Sequence, residues 1–141
     1  MKAKAQRSAW FYLVAAASAY VLASVTRSAI IPAQIHSSFG QVLDVSALYL
    51  VTLLPGFLVG LSRIQRFLTV GFLAGCFGEI LRQLLGVLME ALSVPDGIAV
   101  TPPPTSMYVG FFLTSVPSGI LAMAGASLGA VLVARRLSRQ P

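Results

Sequence analysis

Phe67 to Leu92, FLTVGFLAGCFGEILRQLLGVLMEAL, constrains this chain most: it is long and apolar, yet carries Glu79, Arg82 and Gln83 near its middle. About 26 residues make ~39 Å of helix at ~1.5 Å per residue. That crosses the ~30 Å hydrocarbon layer of a bilayer with some tilt. At ~100° per residue, Gly71, Gly75, Gly78, Glu79, Arg82, Gln83, Gly86 and Glu90 share one arc of roughly 140°, with Phe72 and Met89. Leucines, Phe77, Ile80 and Val87 occupy the rest of the circumference. Such a helix shows a greasy face to lipid and a face of glycines and charges to a protein interior. Glycines admit a second backbone at close range, and charges at that depth are costly unless paired or wetted. The spacing therefore predicts that other helices cover this face.

The rest of the composition agrees. Of 141 residues, 57% are hydrophobic and 10% charged, against about 25% charged in a soluble domain. The mean hydropathy is +0.85. The length fits one membrane domain, residues 1–141. The one cysteine, Cys76, lies in an apolar stretch, so no disulfide framework is expected. The net charge of +6 does not point to nucleic acid, because the basic residues flank apolar runs and so report topology.

Taken in order, the apolar runs predict spans at about 9–26, 42–61, 67–92 and 107–134. The first also reads as a signal peptide, with Lys2, Lys4 and Arg7 before it and Ala17-Ser18-Ala19 as a cleavage-like site. Its run exceeds the usual ~7–15 residues, which favours a span. Ala15, Ala19 and Ala23 form a small-residue stripe suited to helix contact. Arg27 to Gln41 reads as a loop. In the second span Tyr49, Thr52, Gly56 and Gly60 share a side, and Pro55 is placed to kink it. Ser93 to Ser106 reads as a second outer loop, with Pro102-Pro103-Pro104 favouring extended polyproline geometry. The last span repeats Gly110, Thr114, Ser118, Ala122 and Ala126 every fourth residue, adds Gly125 and Gly129, and contains Pro117. Eight of the ten Lys and Arg residues lie in the N-terminus, the 63–66 turn and the C-terminal tail. With four spans those segments share one side, which predicts cytoplasmic N- and C-termini. The fold expected is all-α: a polytopic bundle of four transmembrane helices in the plasma membrane. Thr52-Leu53-Leu54-Pro55 and Thr114-Ser115-Val116-Pro117 match at an offset of 62 residues, as in a parallel repeat of two hairpins.

Glu79, Arg82 and Gln83, three and four residues apart, can meet on one helix face. Two readings stand side by side. One is a ligand-binding site for a polar or anionic small solute, with Thr52 and Thr114 contributing hydroxyls. The other is a self-neutralising pair that braces the bundle. Asp44, Glu90, Asp96, Arg27 and His36 fall at or beyond the outer edge, where such residues can line a solute entrance but more often are solvated loop groups, the reading favoured. His36 has no second histidine or nearby cysteine, so no metal or haem site is expected, and no cofactor. No HExxH, GxSxG, phosphate-binding loop or dinucleotide glycine pattern occurs, so an enzyme is not expected.

One family rhythm is visible. An alanine-striped first helix is followed by Leu43-Asp44-Val45-Ser46, then Leu54-Pro55-Gly56-Phe57-Leu58-Val59-Gly60, a short basic turn and a glycine-rich helix near Gly71. Over about residues 9–92 this resembles the membrane substrate-binding (S) components of energy-coupling-factor vitamin transporters. It departs from them in having four spans where they usually have six. The resemblance implies that Ala15, Ala19 and Ala23 contact a coupling protein. The functional expectation is a small membrane transport protein or transporter subunit; the alternative is an accessory or scaffold subunit of a larger membrane complex. The expected partners are the lipid bilayer, a small-molecule solute, and either further copies of the chain or a partner membrane subunit, with no nucleic acid.

Overall fold

In a computed structural model of the chain, the described residues are 2–30, 38–62, 66–93 and 104–138. They form four helices: α1, Lys2–Ile30; α2, Ser38–Leu61; α3, Phe67–Leu92; and α4, Thr105–Leu137. All four are long and apolar enough to cross a membrane. The bounds of α3 match the apolar run, and the other three helices outrun theirs. A helix does not stop where its apolar run stops, because backbone hydrogen bonding continues into polar residues. Arg27 is thereby corrected from loop to helix, one turn before the end of α1. Both α2 and α4 run through their prolines, Pro55 and Pro117. His36, Asp96 and the signal-like segment's Met1 lie outside the described residues.

The bundle is apolar on the outside and small-sided within. Its core includes Ala16, Ala17, Ala74, Ala122 and Ala126, and among the described residues the largest fully buried side chains are Tyr20, Val59 and Pro55. Leu22, Leu50, Leu73, Phe112, Leu113 and Ile120 face outward. A water-soluble bundle places its leucines the other way round. Where lipid tails are as apolar as leucine, burial gives helices no reason to associate, and close backbone packing through small residues takes over.

The register of that packing is readable from the glycines. A Cβ on Gly56 would collide with the Ala122 backbone, and one on Gly60 with that of Ala126. Reciprocally, Gly125 lies on Leu53 and Gly129 on Phe57 and Leu61. So α2 and α4 run parallel and in intimate contact. On the other side of α4, Gly75 lies against Ser118, Gly119 and Ala122. End-on, the helices take the order α1, α2, α4, α3, with α2 and α3 also touching across the middle. Among the described residues α1 makes no close backbone approach to α4. Two hairpins related by a two-fold axis would place α1 opposite α3 and α2 opposite α4. Here each of those pairs is adjacent, so the 62-residue sequence match does not correspond to a two-fold arrangement.

The polar arc of α3 is covered only in part. Gly71, Gly75, Gly78 and Glu79 are buried, while Arg82, Gly86 and Glu90 are exposed. The bundle is tight around the first half of α3 and open along the second.

Candidate functional site

Glu79 lies at the point where the tight half of α3 gives way to the open half. Its side chain is 8% exposed, against 44% for Arg82. Four donors converge on the carboxylate. Arg82 grips both oxygens, Nε to Oε2 at 2.9 Å and Nη2 to Oε1 at 2.6 Å. Gln83 donates from Nε2 to Oε1 at 2.6 Å, and the Tyr20 hydroxyl to Oε2 at 2.5 Å. The i+3 and i+4 placement of Arg82 and Gln83 on one helix makes the first three bonds local. The two-pronged guanidinium contact is the strongest of the neutralising geometries available to a carboxylate.

The cluster also ties three helices at one depth. The Gln83 amide donates to Thr114 Oγ1 at 2.7 Å, and the Thr114 hydroxyl donates to the carbonyl of Gly110 at 3.0 Å. Tyr20 brings in α1. Its ring packs on Gly78, where a Cβ would stand 2.8 Å from the ring edge. Of the five predicted ligand-binding residues, Glu79, Arg82, Gln83 and Thr114 are together. Thr52 is buried elsewhere, and its hydroxyl donates to the Leu48 carbonyl at 2.7 Å.

Sequence reasoning missed Tyr20, which is 1% exposed. The signal was depth. Tyr20 lies eleven residues into the apolar run that begins at Ala9, and Glu79 twelve into the run that begins at Phe67. With α1 and α3 parallel, those counts put phenol and carboxylate level. It also took Arg27 and Asp44 for solvated groups. They form an ion pair between α1 and α2, their side chains 21% and 44% exposed.

Between these two ion pairs lies a cleft of about 370 Å³ formed by α1, α2 and α3. Ser24, Ser28, Arg27 and Arg82 supply polar lining, and Val25, Leu48, Leu85 and Met89 apolar lining. Gly86 borders it, and a Cβ there would meet nothing within 4 Å. Arg27 Nε is buried without a hydrogen-bond partner among the described residues. Chemically the arrangement can neutralise, orient and hold oxygen acceptors. Among the described residues no three His, Cys, Asp or Glu side chains come together as a metal site. The chain matches no protein-family model, no curated protein and no solved structure.

Proposed function

We propose that this chain is a multi-pass protein of the plasma membrane, a small transporter or the membrane subunit of one, that handles a polar or anionic solute at the Arg82 face of α3. Glu79 acts as the anchor of that site, not as its contact. Its two oxygens already receive four donors, so it fixes the guanidinium in place. The observation that carries the reading is the position of Arg82. It is held on one side by a buried carboxylate and borders an open cleft on the other. A charge in a membrane span that is both paired and accessible is the usual mark of a solute path. Both termini are assigned to the cytoplasm on the distribution of Lys and Arg. The resemblance to vitamin-transporter S components agrees with a subunit role. Ala15 is exposed and Ala19 and Ala23 half-buried, which leaves part of that stripe for a partner.

One observation favours the second reading, an accessory or scaffold subunit. The Glu79 cluster satisfies itself from within the chain and joins three helices. The two readings separate on a double substitution, Glu79→Gln with Arg82→Met. Exchange of a buried ion pair for neutral groups of similar size is often tolerated, because two desolvation costs vanish with the attraction. A solute-handling protein then keeps its melting temperature within a few degrees but loses uptake of labelled organic carboxylates and phosphate esters into proteoliposomes. Full uptake by a stable double variant would leave the scaffold reading in its place.

A further inference from the structure

The cleft between α1, α2 and α3 has more hydrogen-bond donors than the protein fills. A guanidinium carries five N–H groups. Arg82 spends Nε and one Nη2 hydrogen on Glu79. Among the described residues Arg27 spends one Nη2 hydrogen on Asp44, and its Nε is buried with no partner. Glu79 and Asp44 thus balance the two charges without occupying all of the donors. Buried donors without acceptors are costly, and the cost rises as the surroundings become less polar.

The two ion pairs differ in permanence. Glu79 is enclosed, whereas the Asp44 side chain is 44% exposed at the outer end of α2. Asp44 can turn to water at small cost, because exposed ion pairs are worth little. An incoming anion that took its place on Arg27 would leave the charge balance of the cleft unchanged. Beside the two guanidinium groups, Leu48, Leu85 and Met89 offer an apolar wall. A bare inorganic ion would leave that wall unused.

We propose that this cleft binds the anionic head of an amphiphile, a carboxylate or phosphate on an apolar chain, between Arg27 and Arg82, and that Asp44 vacates Arg27 as it enters. This gives the solute of the proposed transport site its chemical class, and rests on that reading. The chemistry is shared by a free long-chain carboxylate and an anionic phospholipid, so the test has an arm for each.

In the first arm decanoate is titrated into the full-length protein in neutral detergent, beside decanol and inorganic phosphate. Decanoate binds the unaltered chain at least about tenfold more tightly than it binds Arg27→Gln, the scale of one lost charge-assisted contact. Asp44→Asn binds it several-fold more tightly, since the competing carboxylate is gone. Gly86→Leu projects into the cleft and abolishes binding. Decanol and phosphate show no dependence on Arg27. In the second arm the protein in nanodiscs of mixed phosphatidylglycerol and phosphatidylcholine is released for native mass spectrometry. Arg27-dependent retention of phosphatidylglycerol that decanoate does not displace identifies the lipid as the occupant, and displacement identifies the free amphiphile. The double variant Arg27→Gln with Asp44→Asn keeps a neutral pair between α1 and α2. It must also lose binding while remaining folded. Decanoate binding unchanged in Arg27→Gln, or weaker in Asp44→Asn than in the unaltered chain, overturns the proposal, as does phosphate binding as well as decanoate. The two readings fail separately. Uptake retained in Glu79→Gln with Arg82→Met refutes transport at Arg82. Binding indifferent to Arg27 and Asp44, with uptake still lost in that double variant, refutes only the amphiphile cleft.

Discussion

Adding one methyl group at Gly56 and one at Gly86, both on helices, should have opposite consequences. At Gly56 an added Cβ would lie inside the van der Waals envelope of the Ala122 carbonyl, and backbone on both sides leaves no side chain to swing away. The relief available is separation of α2 from α4 by about 1 Å or more. A gap of ~0.5–1 Å forfeits a quarter to a half of each dispersion contact it opens. The contacts at Gly60, Gly125 and Gly129 lie along the same seam and open together. Overpacking typically costs ~1–3 kcal/mol. Alanine in place of glycine returns up to ~1 kcal/mol of helix propensity. Gly56→Ala should therefore be destabilised by about 1–2 kcal/mol. At Gly86 nothing stands within 4 Å of the added Cβ, so propensity alone acts and Gly86→Ala should be neutral or stabilised by up to ~1 kcal/mol. The assay is the loss of helical signal as dodecyl sulfate is titrated into each protein in neutral detergent. Equal stability of Gly56→Ala and the unaltered chain would refute the glycine-seam account of α2 and α4. So would equal damage from both substitutions.

Tyr20→Phe keeps the ring on Gly78 but removes the hydroxyl donated to Glu79; the same denaturation should show a loss of about 1–2 kcal/mol, and no loss would mean the hydroxyl is not part of the brace. Reporter fusions at residue 65 and at the C-terminus should report cytoplasm, and one near residue 103 the outside, following the positive-inside distribution; an outside signal at 65 would break the four-span topology. Small-residue stripes predict self-association or a co-purifying membrane subunit, to be read by light scattering with detergent correction; a monomer alone in the preparation would count against it.

What was legible in the sequence was local. The bounds of α3 follow from basic residues before it and polar residues after it, and the Glu79–Arg82–Gln83 cluster follows from three- and four-residue spacing on one helix. What was not legible depends on how one helix is set against another. Tyr20 meets Glu79 because α1 and α3 share a depth, and Arg27 meets Asp44 because α1 extends past its apolar run. The small-residue stripes were legible as a kind of surface but not in orientation. On α4 the buried positions are Phe111, Ser115, Gly119, Ala122, Gly125, Ala126 and Gly129, whereas the predicted stripe places Thr114 and Ser118 inward. On α1 the buried face is Leu13, Ala16, Ala17, Tyr20 and Ser24, not Ala15, Ala19 and Ala23. When nearly every side chain is apolar, hydropathy does not distinguish the lipid-facing side from the packed one, and residue size carries most of the signal. The sequence expectation puts Thr52 and Thr114 at one site, but the contacts pair Gly56 with Ala122 and Gly60 with Ala126. That register separates the two threonines.

The placement of the cleft follows from how unequally the helices are joined. α2 closes on α4 along one seam, with Gly56 and Gly60 on one side and Ala122, Gly125, Ala126 and Gly129 on the other, and α3 closes on α4 through Gly71, Gly75 and Gly119. Such seams have two rigid backbones in contact and little to rearrange. α1 is joined differently. Its glycine contact is the Tyr20 ring on Gly78, Leu13 and Ala16 pack with Val59, Val70 and Ala74, and its polar ties are the phenol on Glu79 and the Arg27–Asp44 pair. Polar ties of this kind are strong while dry, and water or a ligand oxygen can replace them bond for bond. Of the four helices, α1 is the one with no backbone-to-backbone glycine seam among the described residues. The cleft lies along that joint, bounded by the two ion pairs. A bundle that needed only to hold together would place its exchangeable ties away from the accessible Arg82 guanidinium. Here they sit side by side, so binding at Arg27 draws on the contacts that tie α1 to α2.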